Sequence, residues 1–247
     1  MFDTAAMGAA REIPTHATAL VAIAPVTTAP AVSASAVPRA GSAALRALGE
    51  RVRPVALAGA QVLEVSGPLA AVVPDGLVRG ASVAVVGPGA TTVALRLVAE
   101  AARAGAWIAV VDLDDLGLLA ALGAGIDPER LALVRIAGAP RRAEAIAALA
   151  GGVDLVLLDA RVPLRAVEHR RLSARLRERG TTLVSVAPGH RSSSSVSWPV
   201  DLTLEVEGGR WSGIGRGHGS LTGRSLRVRA RGRGRASRPR ETVLDDG

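Results

Sequence analysis

From Ser82 to Val186 the chain repeats one rhythm: a short apolar run, a turn, then a helical stretch. The runs Ser82–Val86, Trp107–Val111, Leu131–Ile136, Asp154–Leu158 and Thr182–Val186 are predicted strands. Helices are predicted near Thr92–Ala104, Leu116–Leu122, Arg141–Ala150 and Leu164–Arg179. Strands that alternate with helices build a mostly parallel sheet with right-handed crossovers, giving an α/β fold. Its core must be made of Ala, Val and Leu, because hydrophobic residues are 49% of the chain and aromatics only 2%. The helix from Leu164 has Pro163 at its start and Gly180 as its stop. Its Leu164, Val167, Leu172 and Leu176 are expected to face inward, with arginines 165, 170, 171, 175 and 177 outside.

The flanks read differently. Residues 1–40, rich in Ala, Thr, Pro and Ser, are expected to be a disordered leader. A short helix near Leu45–Arg53, a strand at Val62–Val65 and a helical turn at Leu69–Val73 precede the repeating part. From Val200 the period changes to two. Val200–Val206, Arg210–Ile214 and Ser225–Arg229 alternate apolar with polar, which predicts an antiparallel meander over 200–230. Residues 41–230 would then be one domain, and 231–247 a disordered, arginine-rich tail.

All 30 basic residues are arginine, and the net charge is +8. Ten arginines and no acid lie between Gly208 and Arg240, so the excess charge belongs to the C-terminal part. Arg224, Arg227, Arg229, Arg231, Arg233 and Arg235 are therefore the expected contacts to DNA or to an acidic protein partner. Without cysteine there is no disulfide or thiol chemistry, which fits a cytoplasmic protein. No unbroken apolar stretch is long enough for a membrane span.

One motif carries chemistry. Val83-Ala-Val-Val86 runs into Gly87-Pro88-Gly89, and a helix opens through Thr91 and Thr92. A strand, a glycine turn and a helix N-terminus aim backbone N–H groups at one point, an arrangement suited to phosphate. Thr91 or Thr92 would supply the hydroxyl for magnesium, but the lysine of a working phosphate loop is missing. Asp112 and Asp114 end the second strand, and Asp159 ends the fourth, where an aspartate would support Mg²⁺. Three readings fit these residues. One is a nucleotide fold that has lost its chemistry; another is a residual ATPase in which Arg79 or Arg96 replaces the lysine. The third is a Rossmann NAD(P)-binding oxidoreductase with Asp112 on the ribose. His190 and His218 sit in Gly/Ser-rich turns and are expected to be surface histidines, and Trp211 is expected to pack the meander.

Taken in order, Leu69–Val73, Asp75–Gly80, Ser82–Pro88, Val110–Asp114, the Asp159 strand, Thr182–Val186 and the segment from Val200 resemble the RecA recombinase family. The resemblance covers roughly residues 42–230. Within that superfamily the chain is most similar to the short actinobacterial ImuA-type accessory proteins of the mutagenic translesion system. Gly208-Gly-Arg-Trp211 and Gly215-Arg-Gly-His-Gly219 carry that similarity. The departures are the absent lysine, the few residues left for DNA-binding loops after Asp159 and Val186, and Ala187-Pro188 in place of a nucleotide-sensing glutamine. The resemblance implies a RecA-like sheet with a degenerate nucleotide loop and no enzyme activity. It also implies no required cofactor, with ATP and Mg²⁺ binding weak or lost. Its implied role is an adaptor in damage-induced (SOS) mutagenesis, docking an inactive Y-family polymerase homologue and an error-prone replicative-type polymerase.

Overall fold

The computed structural model describes residues 62–136, 142–161, 164–189, 198–215, 218–233 and 238–246. The leader 1–40, the helix near Leu45–Arg53, His190, Ser192–Ser195, Arg216 and Arg235 lie outside the described residues.

A two-stranded ribbon, β1 (Val62–Leu63) and β2 (Leu77–Val78), encloses a 3₁₀ turn at Gly67–Ala71. The repeating part follows as β3 (Ser82–Gly87), α1 (Ala90–Arg103), β4 (Ile108–Val111), α2 (Leu118–Gly123) and β5 (Leu131–Val134). It continues through α3 (Arg142–Leu149), β6 (Leu155–Asp159), α4 (Ala166–Arg179) and β7 (Thr182–Pro188). Three strands close the described chain: β8 (Leu202–Ile214), β9 (Gly219–Gly232) and β10 (Arg240–Asp246). Strands β3 to β10 form one eight-stranded sheet in the order β10-β9-β8-β3-β7-β6-β4-β5. It is a mixed α/β sheet, parallel from β5 to β8 and antiparallel over β9 and β10.

Helices cover the two faces. α1 and α2 pack Val93, Leu97 and Ala121 onto Val83, Val85, Ile108 and Val184. α3 and α4 pack Ile146, Leu149, Leu172 and Leu176 onto Val111, Val156 and Leu158. Strands buried on both faces read as continuous apolar runs, which is why β3, β4 and β6 were legible. α4 stops at Gly180, whose φ of 69° is left-handed. Val167 departs from the expectation: it is 50% exposed, and His169 and Ser173 take inward positions beside Leu172 and Leu176.

The strand from Leu202 opens the antiparallel meander β8-β9-β10, and its other edge joins β3 in parallel, from Val83↔Leu202 to Val86↔Glu205. Two sequence expectations for the C-terminal part need correction. Arg210–Ile214 is not a separate strand; a bulge after Glu207 bends β8 and lets it continue. Nor is the segment 231–247 a disordered tail throughout. Arg240–Asp246 pairs along β9 from Ala230 to Arg224 and buries Leu244.

The reason is a ladder of charge. On the sheet face opposite Leu226 and Val228, Arg229 bonds Glu207 and Glu241, each at 3.0 Å. Arg227 reaches Glu241 at 3.1 Å, and Arg231 lies 3.6 Å from Glu205. Cross-strand pairs of opposite charge favour this register over a solvated tail. Leu244→Ala is accordingly expected to cost about 2–3 kcal/mol in urea unfolding, as truncation of a buried leucine does. A free tail would give no change.

Candidate functional site at the carboxyl edge of the parallel sheet

The carboxyl ends of β3, β4 and β6 gather the residues singled out from the sequence. The β3 and β6 strands are separated by one strand, β7. β3 ends at Gly87 and α1 begins at Ala90, so the turn is only Pro88 and Gly89 long. Both glycines are left-handed, with φ of 111° at Gly87 and 90° at Gly89. A phosphate loop separates its glycines by four residues to wrap the anion; here one residue separates them.

What these glycines accommodate is the protein itself. A Cβ at Gly87 would lie 2.1 Å from the Val206 carbonyl oxygen of β8. A Cβ at Gly89 would lie 3.0 Å from Arg224 Nη2 and from both Leu226 methyl carbons. The turn is thus tight because β8 and β9 press against it. Thr91 and Thr92 are half-buried in the first turn of α1. Thr92 borders a shallow recess of about 170 Å³ between α1 and α2, with Leu95, Arg96 and Ala124.

The aspartates are held as well. Asp112 sits in the left-handed region at φ 50°, where aspartate is tolerated better than most residues. Its Oδ1 accepts the Ile136 N–H at 2.8 Å and its Oδ2 accepts Arg142 Nε at 3.2 Å, tying β4 to the end of β5 and the start of α3. Both oxygens are thereby engaged where the Rossmann reading requires a ribose. Asp114 is exposed and pairs with Arg135. Asp159 is buried, and Arg161 clamps it through Nε at 2.7 and 2.9 Å, with the Arg161 backbone N–H adding a bond at 2.7 Å. The hydrogen bond to Asp159 holds the Arg161 guanidinium above its ordinary pKa, despite an opposing push from desolvation. Arg161 also reaches Asp115 at 3.3 Å.

Arg161 places a guanidinium on the carboxylate that would hold the metal, and no group of ligands suited to a metal occurs among the described residues. Of the two arginines considered as lysine substitutes, Arg79 lies at the opposite, amino edge of the sheet, bonded to Asp154 at 2.8 Å. Arg96 borders the recess between α1 and α2. Sequence reasoning missed Arg142 and Arg161. The only available signal was Asp159-Ala-Arg161, an acid and a base two residues apart.

The arginines expected to bind DNA or protein are distributed unevenly. Arg227, Arg229 and Arg231 belong to the charge ladder, and Arg224 lies over the ring of Trp211 at 4.9 Å. Trp211 does not pack the sheet as expected; it is 54% exposed. Arg233 is exposed just beyond β9.

A family model described as the MT3502 N-terminal domain matches residues 70–191, from the 3₁₀ turn past the end of β7. A protein of Mycobacterium tuberculosis described as uncharacterized protein Rv3395c is 34% identical over 152 residues, covering 59% of this chain and 71% of the relative. The chain belongs to the Rv3395c family. The stretch matched by the family model holds the glycine turn, Asp112, Asp114 and Asp159, together with Arg142 and Arg161 that engage them. No described helix is long and apolar enough to cross a membrane.

Proposed function

We propose that this chain is a non-catalytic adaptor on a RecA-like scaffold. It docks an inactive Y-family polymerase homologue and an error-prone replicative-type polymerase during damage-induced translesion mutagenesis in the cytoplasm. One observation carries the reading: the edge where nucleotide chemistry belongs is filled by the chain's own groups, with Arg161 on Asp159 and Leu226 with Arg224 over Gly89. The mixed sheet, parallel through β8 and antiparallel beyond it, supports the RecA-like part. The outer end of the β8–β9 hairpin supports docking, because Trp211, Ile214 and Leu221 are all exposed there. Exposed aromatic and aliphatic groups of this kind anchor protein partners more effectively than charged rims do.

Capture from DNA-damaged cells tests the proposal. The full chain is expected to retain the polymerase homologue, and Trp211→Ala with Ile214→Ala to lose it. Thr91→Val with Thr92→Val, which removes the hydroxyls of the glycine turn, is expected to leave capture unchanged. ATP turnover by purified protein that disappears in Thr92→Val would overturn the adaptor reading in favour of an ATPase.

A further inference from the structure

Several arginines with no acidic partner among the described residues lie at the other end of the sheet. There the start of β3, the approach to β8, the end of β9 and one side of α4 surround a recess of about 190 Å³. Its walls include His169, Arg170, Ser173, Arg177, Asp201 and Arg233. Among the described residues no carboxylate pairs with Arg170, Arg177 or Arg233; Arg170 bonds only the Ala166 carbonyl, at 3.3 Å. Three arginines therefore line a recess that has one carboxylate in its wall, that of Asp201.

That carboxylate is partly committed. Asp201 Oδ2 accepts the Ser82 N–H at 2.9 Å, and the Asp201 N–H donates back to the Ser82 carbonyl at 2.8 Å. The Arg233 N–H donates to the Asp201 carbonyl at 3.0 Å. This ring of bonds joins β3, β8 and the end of β9 into a fixed floor. On the α4 side, His169 is buried, lies 3.3 Å from Ser173 Oγ through Nε2, and stacks on Trp198 at 5.7 Å. Burial, and then the charge of Arg177, hold the His169 pKa below its usual value, so the ring is neutral at neutral pH. The indole N–H of Trp198 is buried with no acceptor among the described residues.

Donors and positive charge thus dominate a recess smaller than the roughly 300–1,000 Å³ that encloses a drug-sized ligand. A nucleoside triphosphate exceeds it, whereas a single phosphate group fits. Arg170 and Arg177 lie on one stripe of the same helix, about two turns apart, so the positive surface runs along α4 from the recess. An isolated phosphate makes no use of that extension; a polyanion does.

We propose that this recess seats one backbone phosphate of a nucleic-acid strand, held between Arg177 and Arg233, with the strand continuing over α4. The site is independent of the adaptor reading and lies away from the glycine turn.

Fluorescence anisotropy with the full chain and a labelled 30-nucleotide single strand, titrated across salt, tests it. Arg177→Gln with Arg233→Gln is expected to weaken binding roughly ten-fold and flatten the log–log salt slope by about 1.4, the share of two phosphate contacts on single-stranded DNA. Arg103→Gln with Arg175→Gln, which removes two surface charges paired with Glu100 and Glu178 instead, is expected to leave both unchanged. Circular dichroism melts would confirm that each variant is folded. Equal binding by the recess variant and the wild type would overturn the proposal. So would inorganic phosphate quenching Trp198, in a Trp107→Phe, Trp211→Phe background, while the oligonucleotide fails to bind, since that marks a site for free phosphate.

Discussion

Asp154→Ala is expected to destabilise the protein by about 3–5 kcal/mol, the cost of stripping one partner from a buried ion pair. The Asp154 side chain is wholly buried and stands just before β6. Its Oδ1 accepts Arg79 Nη1 at 2.8 Å and its Oδ2 accepts the Trp107 N–H at 3.0 Å. Arg79 Nε and Nη2 are buried with no other partner among the described residues. One carboxylate therefore anchors the entries to β3, β4 and β6 together. Without it a guanidinium remains at the amino edge with no counter-ion. Urea unfolding measures the loss, and Asp154→Ala combined with Arg79→Met is expected to recover much of it. A single-variant loss under about 1 kcal/mol would place the pair with ordinary surface salt bridges.

Gly87→Ala is expected to cost at least about 3 kcal/mol, from a strained backbone and an overlap that nothing flexible can relieve. The residue has φ 111°, and the added Cβ would lie 2.1 Å from the Val206 carbonyl oxygen. To make room, β8 must leave β3, and the four-residue parallel pairing between them would break. Gly208→Ala is the matched control: nothing lies within 4 Å of its added Cβ, and its effect is expected to stay within about 0.5 kcal/mol. A phosphate-binding glycine would behave differently, with Gly87→Ala abolishing nucleotide binding in a chain of unchanged stability. Thermal melts with and without ATP separate the two outcomes.

The parallel part of the fold was readable because its strands are buried on both faces and its helices fall between them. Ser82–Val86, Trp107–Val111 and Thr182–Val186 each lie within two residues of the observed bounds. The antiparallel pairing of β8 with the strand after it was readable, but its parallel seat beside β3 was not. Its alternation Leu202, Leu204, Val206 says that one face is covered, yet a parallel and an antiparallel neighbour give the same alternation. β10 escaped for another reason: Leu244 is its one fully buried apolar side chain, and the arginines that fix its register are distant in sequence.

At the candidate site the residues were visible but their partners were not. Gly87-Pro88-Gly89 signals that something approaches the backbone closely, and the sequence is silent on whether that is a phosphate or another strand. Asp112 and Asp159 look the same before and after an arginine is placed on them. Arg142 lies thirty residues from Asp112. Arg161 lies two residues from Asp159 but reads equally well as a solvated helix-approach residue.

The central place of β3 has a practical consequence. The match to the family domain ends at residue 191, which invites expression of a fragment stopping there. Such a fragment would strip β8 from β3 and turn the middle of the sheet into an open border, with Val83 and Val85 beside it. Bare borders of this kind recruit other chains into stacks. Soluble material should therefore require the polypeptide through Asp246.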